Sequence, residues 1–148
     1  MIRRLPLTPE LTIAFFSFVF HFVWEMLQVP VYEGMSTMEH WAGILVCTQA
    51  TIGDVGFALT AFWATAILRR SRRWLLSPSI RDVLIFLVVG MVLTIAFEFY
   101  YVEVVHRWTY AAWMPLLPPF GTGLSPFMQW ILVPLLVLLV ARKQLQEG

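Results

Sequence analysis

Four long apolar segments divide the chain, and shorter stretches rich in polar, basic, proline or glycine residues separate them. The segments cover about residues 9–28, 38–68, 80–106 and 126–141. An α-helix needs about 20 residues to cross the hydrocarbon core of a bilayer, so each segment is long enough or nearly so. The pattern predicts an all-α membrane protein, in which residues 1–148 form one domain built as a four-transmembrane-helix bundle.

Each apolar segment opens with residues typical of a helix start. Thr8-Pro9 and Ser125-Pro126 place a capping side chain before a proline at the first helical position. The stretches Ser36 to Glu39 and Ser79 to Asp82 match the capping-box spacing. Residues 107–125, between the third and fourth segments, are rich in Trp, Tyr, Pro and Gly, which predicts an ordered loop at the membrane interface.

Composition and charge agree with insertion into a membrane. Hydrophobic residues make up 59% of the chain and charged residues 13%, and the mean hydropathy is +0.76. Nine of the ten basic residues flank one set of segment ends: Arg3, Arg4, Arg69, Arg70, Arg72, Arg73, Arg81, Arg142 and Lys143. The positive-inside rule therefore predicts cytoplasmic termini and an extracytoplasmic loop 107–125. We expect a multi-pass integral membrane protein, in the plasma (inner) membrane if bacterial, that binds no nucleic acid.

Each predicted helix carries its polar residues at spacings of three, four or seven, which places them on one face. The four faces consist of Ser17, His21, Glu25 and Gln28; His40, Cys47, Thr51 and Asp54; Gly90, Thr94, Glu98 and Tyr101; and Ser125 with Gln129. Helices in a membrane turn such faces toward one another, because lipid leaves polar groups unsatisfied. The four polar faces should therefore meet inside the bundle.

Four titratable residues are the candidate catalytic groups: His21, Glu25, Asp54 and Glu98. At about 1.5 Å of rise per residue, their depths are compatible with one pocket near the outer leaflet. Buried carboxylates are costly in a membrane and indicate function. Five further residues are expected to contact substrate: Trp24, Thr51, Thr94, Tyr101 and Gln129. Glu103 points about 140° away from Glu98 and is expected to pair with Arg107 at the interface.

Close carboxylates in a medium of low dielectric disfavour one another's ionisation, so at least one should hold a proton near neutrality. Such a group can act as a general acid, while an ionised neighbour and aromatic faces stabilise a developing cation. This chemistry suits isomerisation or cyclisation of an apolar isoprenoid-like or sterol-like lipid that enters sideways from the bilayer. No cofactor is expected.

The spacing also resembles a known family. His21-Phe-Val-Trp-Glu25, an acid on the second span, Glu98-Phe-Tyr-Tyr on the third span and Pro134 on the fourth resemble the EXPERA family, which includes emopamil-binding sterol isomerases and the sigma-2 receptor. The resemblance implies that His21 and Glu25 handle the proton and that Asp54 and Glu98 stabilise the cation. Phe57 lies three residues after Asp54. The isomerases have Glu in place of this Asp and Thr three residues after it.

Two other classes of function remain open. His21, Glu25, Glu103 and His106 offer helical His/Glu spacings that suit a metal or haem site. A true di-iron site needs two Glu-x-x-His pairs, and the chain has one. The third possibility is a non-enzymatic lipid-binding or assembly subunit, including a homodimer.

Overall fold

Within residues 8–147, which the computed structural model describes, four helices are long and apolar enough to cross a membrane. They are α1 (Pro9–Gln28), α2 (His40–Arg69), α3 (Ile80–Phe99) and α4 (Leu124–Glu147). Short 3₁₀ turns cover Val29–Val31, Met35–Thr37 and Trp74–Leu76, and a π-helical turn covers Tyr100–Val104. Strands β1 (Leu116–Leu117) and β2 (Thr122–Gly123) pair antiparallel. The predicted all-α architecture with four apolar spans is confirmed.

The helix starts follow the predicted capping residues in α1 and α3. α4 begins at Leu124, so Ser125 lies inside the helix and the predicted Ser125 cap is wrong. Thr8 Oγ1 accepts a hydrogen bond from the Leu11 N–H at 3.3 Å, and Ser79 forms a full capping box with Asp82. At the start of α2, the predicted capping box at Ser36 is wrong. The Glu39 carboxylate instead caps the helix by accepting from the Ala42 N–H at 2.9 Å, so α2 begins at His40.

Two helix ends differ from the sequence prediction. The third span ends as regular α-helix at Phe99, and the π turn carries the chain on to Val104. The fourth helix is longer than the predicted 126–141 and runs to Glu147. Its last six residues are Arg, Lys, Gln, Leu, Gln and Glu, all good helix formers, so the helix continues past the predicted segment.

The bundle has two chemically different ends. At one end the apolar core is aromatic. The buried Trp74 ring lies between those of Phe62 and Phe86, with centroid distances of 5.6 and 6.0 Å. We call this the basic end, because the described basic residues other than Arg107 lie near it; Arg3 and Arg4 lie outside the described residues. Arg72 pairs there with Glu10 at 2.7 Å. The orientation of this end toward the cytoplasm stays a prediction.

Residues 29–39 and 105–123 cover the other end, and we call them the lid. The two parts are joined through the backbone, since the Glu33 N–H donates to Thr109 O at 2.8 Å and the Ala111 N–H donates to Val31 O at 2.9 Å. Tyr32 and Tyr110 form an isolated antiparallel bridge between these bonds. The loop after α3 is therefore fixed to the loop after α1 by main-chain hydrogen bonds.

A glycine on α3 makes room for a tryptophan on α4, and this close approach leads to a stability prediction. A Cβ at Gly90 would overlap the fully buried Trp130 ring. Overpacking of this kind costs about 1–3 kcal/mol, so Gly90→Ala should lower the thermal unfolding midpoint in detergent. Gly56→Ala is the matched control, because a Cβ there meets nothing within 4 Å. Equal midpoints for the two variants would contradict this packing.

Candidate functional site

A cavity of about 400 Å³ lies between α2, α3 and the lid, in the half of the bundle where the polar faces meet. Its wall includes three carboxylic acids, Glu25, Asp54 and Glu98. α2 contributes one helical face made of Val46, Ala50, Gly53 and Phe57. α3 contributes Thr94, Phe97 and Glu98, and the π turn contributes Tyr101. Part of each predicted polar face borders this common space, including Gln28 of α1, Cys47 of α2 and Thr94 of α3.

The side-chain amide of Gln129 on α4 joins the acids. Its Nε2 atom lies 2.9 Å from His21 Nδ1, 3.0 Å from Glu25 Oε1 and 3.0 Å from Asp54 Oδ2. His21 and Gln129 are buried, and all four helical positions point inward as their spacing predicted. We refer to His21, Glu25, Asp54 and Gln129 as the acid cluster.

The number of hydrogens in the acid cluster is limited. An amide NH₂ group has two hydrogens, yet three acceptor atoms surround Gln129 Nε2. His21 Nδ1 also lies 3.4 Å from Asp54 Oδ2. Two hydrogens therefore serve three acceptors, and His21 Nδ1 is one of them only when the imidazole hydrogen lies on its Nε2. In that tautomer the buried N–H at His21 Nε2 has no described acceptor.

The two clustered acids have different surroundings. Asp54 accepts on both oxygens, since Trp130 Nε1 donates to Oδ1 at 3.1 Å and Gln129 donates to Oδ2. Glu25 accepts twice on Oε1, from Gln28 at 2.9 Å and from Gln129. No described residue donates to Glu25 Oε2. Asp54 is therefore held as an acceptor, whereas Glu25 has one oxygen free to carry a hydrogen.

A second group of polar side chains holds Gln28 in place. Ser125 Oγ donates to Gln28 Oε1 at 2.7 Å, and Trp24 Nε1 donates to the same oxygen at 3.2 Å. With its carbonyl oxygen occupied, the Gln28 amide directs its Nε2 toward Glu25. Ser125, at the start of α4, thus fixes the hydrogen bond between Gln28 and Glu25 within α1.

Glu98 lies apart from the acid cluster and is held by the lid. The Tyr110 hydroxyl donates to Glu98 Oε2. Burial and the nearby Glu98 carboxylate raise the pKa of the Tyr110 phenol well above its usual range. The hydroxyl therefore keeps its hydrogen at ordinary pH and remains a donor to Glu98. Thr94, one turn earlier on α3, has a buried hydroxyl without a described partner in the same cavity wall.

The predicted site residues fall into three groups. Glu25, Asp54, Glu98, Thr94, Tyr101 and Gln129 line the cavity. His21 lies behind Gln129 and does not line it. Trp24 and Thr51 were expected to contact substrate and do not line the cavity either, because the Trp24 indole bonds to Gln28 and Ser125 and the Thr51 hydroxyl donates to Cys47 O at 2.8 Å.

The expected ion pair of Glu103 and Arg107 does not form. The π turn changes the helical spacing, and the Arg107 side chain contacts Gln49, Tyr101 and Trp108 instead. The alternative ligand set is not brought together either, because His21 is buried while Glu103 and His106 are exposed. Among residues 8–147, no three His, Cys, Asp or Glu side chains converge as metal ligands.

Several residues of the site were not among the predicted site residues. Trp130 is fully buried and donates to Asp54. Because Trp130 directly follows Gln129 on α4, its place in the sequence indicated that it lies near the site. Tyr110, Arg107 and Trp108 come from the lid, and their contacts depend on how the loop folds back, which helical spacing does not predict.

No protein-family model matches this chain, and no match is found among the curated proteins or the solved structures.

Proposed function

We propose that this protein is a membrane-embedded enzyme that performs acid-initiated isomerisation or cyclisation of an apolar isoprenoid-like or sterol-like lipid. The observation that carries the proposal is the unequal hydrogen bonding of the acids around one cavity. Asp54 accepts hydrogen bonds on both oxygens, whereas Glu25 Oε2 and Glu98 Oε1 each accept no described hydrogen bond. Acids in such different surroundings can take the roles of proton donor and proton acceptor.

Glu25 is the proposed proton donor. Ionising both Glu25 and Asp54 beside one amide in apolar surroundings is costly, so the pair retains a hydrogen. We place it on Glu25 Oε2, which has no described donor and belongs to a residue of the cavity wall. In the first step the Oε2–H bond breaks, a C–H bond forms at one alkene carbon, and the electron pair of the C=C bond is consumed. The adjacent carbon becomes a cation.

Asp54 and the aromatic wall stabilise this cation. Phe57 and Phe97 pack with ring centroids 4.8 Å apart at the cavity wall. In isomerisation, Glu98 then removes a proton from a carbon next to the cation, and that C–H pair forms the new C=C bond. In cyclisation, a second alkene of the substrate attacks the cation before the proton is lost. Glu98 then releases its proton to solvent and Glu25 takes one up from solvent, so neither route consumes a cofactor.

The cavity suits an apolar ligand that arrives from the bilayer. Its volume of about 400 Å³ falls in the range of small-molecule sites. Gln49, Gly53 and Phe97 line it and are also exposed on the surfaces of α2 and α3. The cavity therefore reaches the side of the bundle between these two helices. The resemblance to the EXPERA family implies the same type of reaction and stays a prediction, although it assigns cation stabilisation and not proton removal to Glu98.

The test is conversion of lipid by protein in nanodiscs. Squalene, geranylgeraniol and an unsaturated sterol are incubated separately with the protein and analysed by chromatography and mass spectrometry. The expected product has the mass of its substrate and a different retention time. Gly53→Phe should abolish conversion, because position 53 lies on the cavity face of α2 and has open space around it.

Gly56→Phe is the matched control, because it adds the same ring to α2 at an exposed position outside the cavity wall. It should convert lipid as the wild type does. Recovery of all three lipids unchanged, or equal conversion by the two phenylalanine variants, would contradict the proposed function.

A further inference from the structure

One basic side chain lines the acidic cavity. Arg107 belongs to the lid part that follows α3, and it is the only Lys or Arg in the described cavity wall. None of the described carboxylates lies within 4.0 Å of its guanidinium. A positive group that lines a ligand cavity and has no acidic partner is available to bind an anion.

The guanidinium of Arg107 is held in a defined position. Its Nη2 donates to Gln49 Oε1 on α2 at 2.6 Å. Its Cζ lies 5.5 Å from the centroid of Tyr101 and 5.9 Å from that of Trp108, which places it against two aromatic rings. The Arg107 N–H donates to Tyr101 O at 2.8 Å, so the backbone is fixed as well.

Most of the hydrogen-bonding capacity of Arg107 remains free. A guanidinium has five N–H groups, and Gln49 accepts one of them. The planar arrangement of the others matches a carboxylate or a phosphate group. Contact with aromatic rings and one amide reduces the side-chain entropy that is lost when such an anion binds.

We propose that Arg107 binds the anionic end, a carboxylate or phosphate group, of an amphiphilic lipid whose apolar chain occupies the cavity. The inference rests on the proposed function, since it takes the cavity as a lipid site. The acid cluster repels an anion from the interior of the bundle, and Arg107 attracts it at the lid. These two effects orient the ligand with its head toward the lid and its chain toward Asp54.

Two probes with the same chain and different heads test this proposal. Geranylgeranoic acid and geranylgeraniol are titrated into the protein in nanodiscs of phosphatidylcholine, a lipid without net charge, and their dissociation constants are measured by calorimetry. The acid should bind more tightly than the alcohol to the wild type. Arg107→Gln should raise the dissociation constant of the acid about tenfold, the size of one charge-assisted hydrogen bond, and leave that of the alcohol unchanged.

Arg142→Gln is the matched control, because it removes one exposed positive charge at the basic end. It should change neither constant. An equal loss of both ligands in Arg107→Gln would assign the residue a structural role, and no change in either would also overturn the proposal. Inorganic phosphate that displaces the acid at equal concentration would show a site for free anions and overturn it too. The readout is binding, so it is independent of whether the carboxyl variants lose turnover.

Discussion

Glu25→Gln is expected to lower lipid turnover by about 10²- to 10⁴-fold while the protein keeps its fold and binds its ligand. The glutamine retains Oε1 as the acceptor for Gln28 and Gln129, so the hydrogen bonds of the acid cluster survive. Its amide nitrogen replaces the Oε2 atom that carries the proton in the proposed mechanism. An amide does not donate a proton to an alkene, so protonation of the substrate stops.

Glu98→Gln should lower lipid turnover by a similar factor for a different reason. The glutamine carbonyl can still accept from Tyr110, and the base that removes the second proton is absent. Glu103→Gln is the matched control, because it removes one carboxylate from the exposed π turn five residues further along. Turnover of the lipid that the wild type converts is measured in nanodiscs. Wild-type rates in Glu25→Gln or Glu98→Gln would refute the assigned roles.

Gln129→Leu is expected to destabilise the protein by about 2–4 kcal/mol, the cost of leaving buried polar groups without partners. Leucine fills a similar volume and removes the hydrogen-bonding atoms at the centre of the acid cluster. His21 Nδ1 and Asp54 Oδ2 each lose a partner, and Glu25 keeps only its bond from Gln28. The thermal unfolding midpoint in detergent should fall by on the order of 10 °C.

Gln144→Leu provides the control for this variant, because it makes the same replacement at an exposed position of α4. Its unfolding midpoint should stay near that of the wild type. A stable Gln129→Leu protein would show that the three acceptors around Nε2 do not depend on the amide.

The sequence was sufficient for the helices and for much of the acid cluster. Apolar length gave the four spans, and spacings of three and four placed Glu25, Asp54, Glu98 and Gln129 on inward faces, because polar groups in a membrane must find partners within the protein. The same rule required Glu98 and Asp54 to face the interior of the bundle. This part of the prediction depends only on helical geometry.

The remaining features depend on contacts between distant parts of the chain. The end of α4 extended past Ala141, since a helix does not stop where its apolar residues stop. Trp130 is buried because Gly90 on α3 leaves space for its ring, a pairing that neither helix reveals alone. The contacts of Tyr110 and Arg107 require a folded lid, whose backbone pairing with residues 31–33 has no periodic pattern in the sequence.

The most direct test of proton transfer from Glu25 to the substrate is the deuterium content of the product formed in D₂O. Proton transfer from Glu25, which exchanges with solvent, predicts that wild-type protein places one deuterium on a carbon of each product molecule. Glu25→Gln should form almost no product, and Glu103→Gln should give the wild-type label. If the wild-type protein formed product without deuterium on carbon, this result would contradict protonation by the acid cluster.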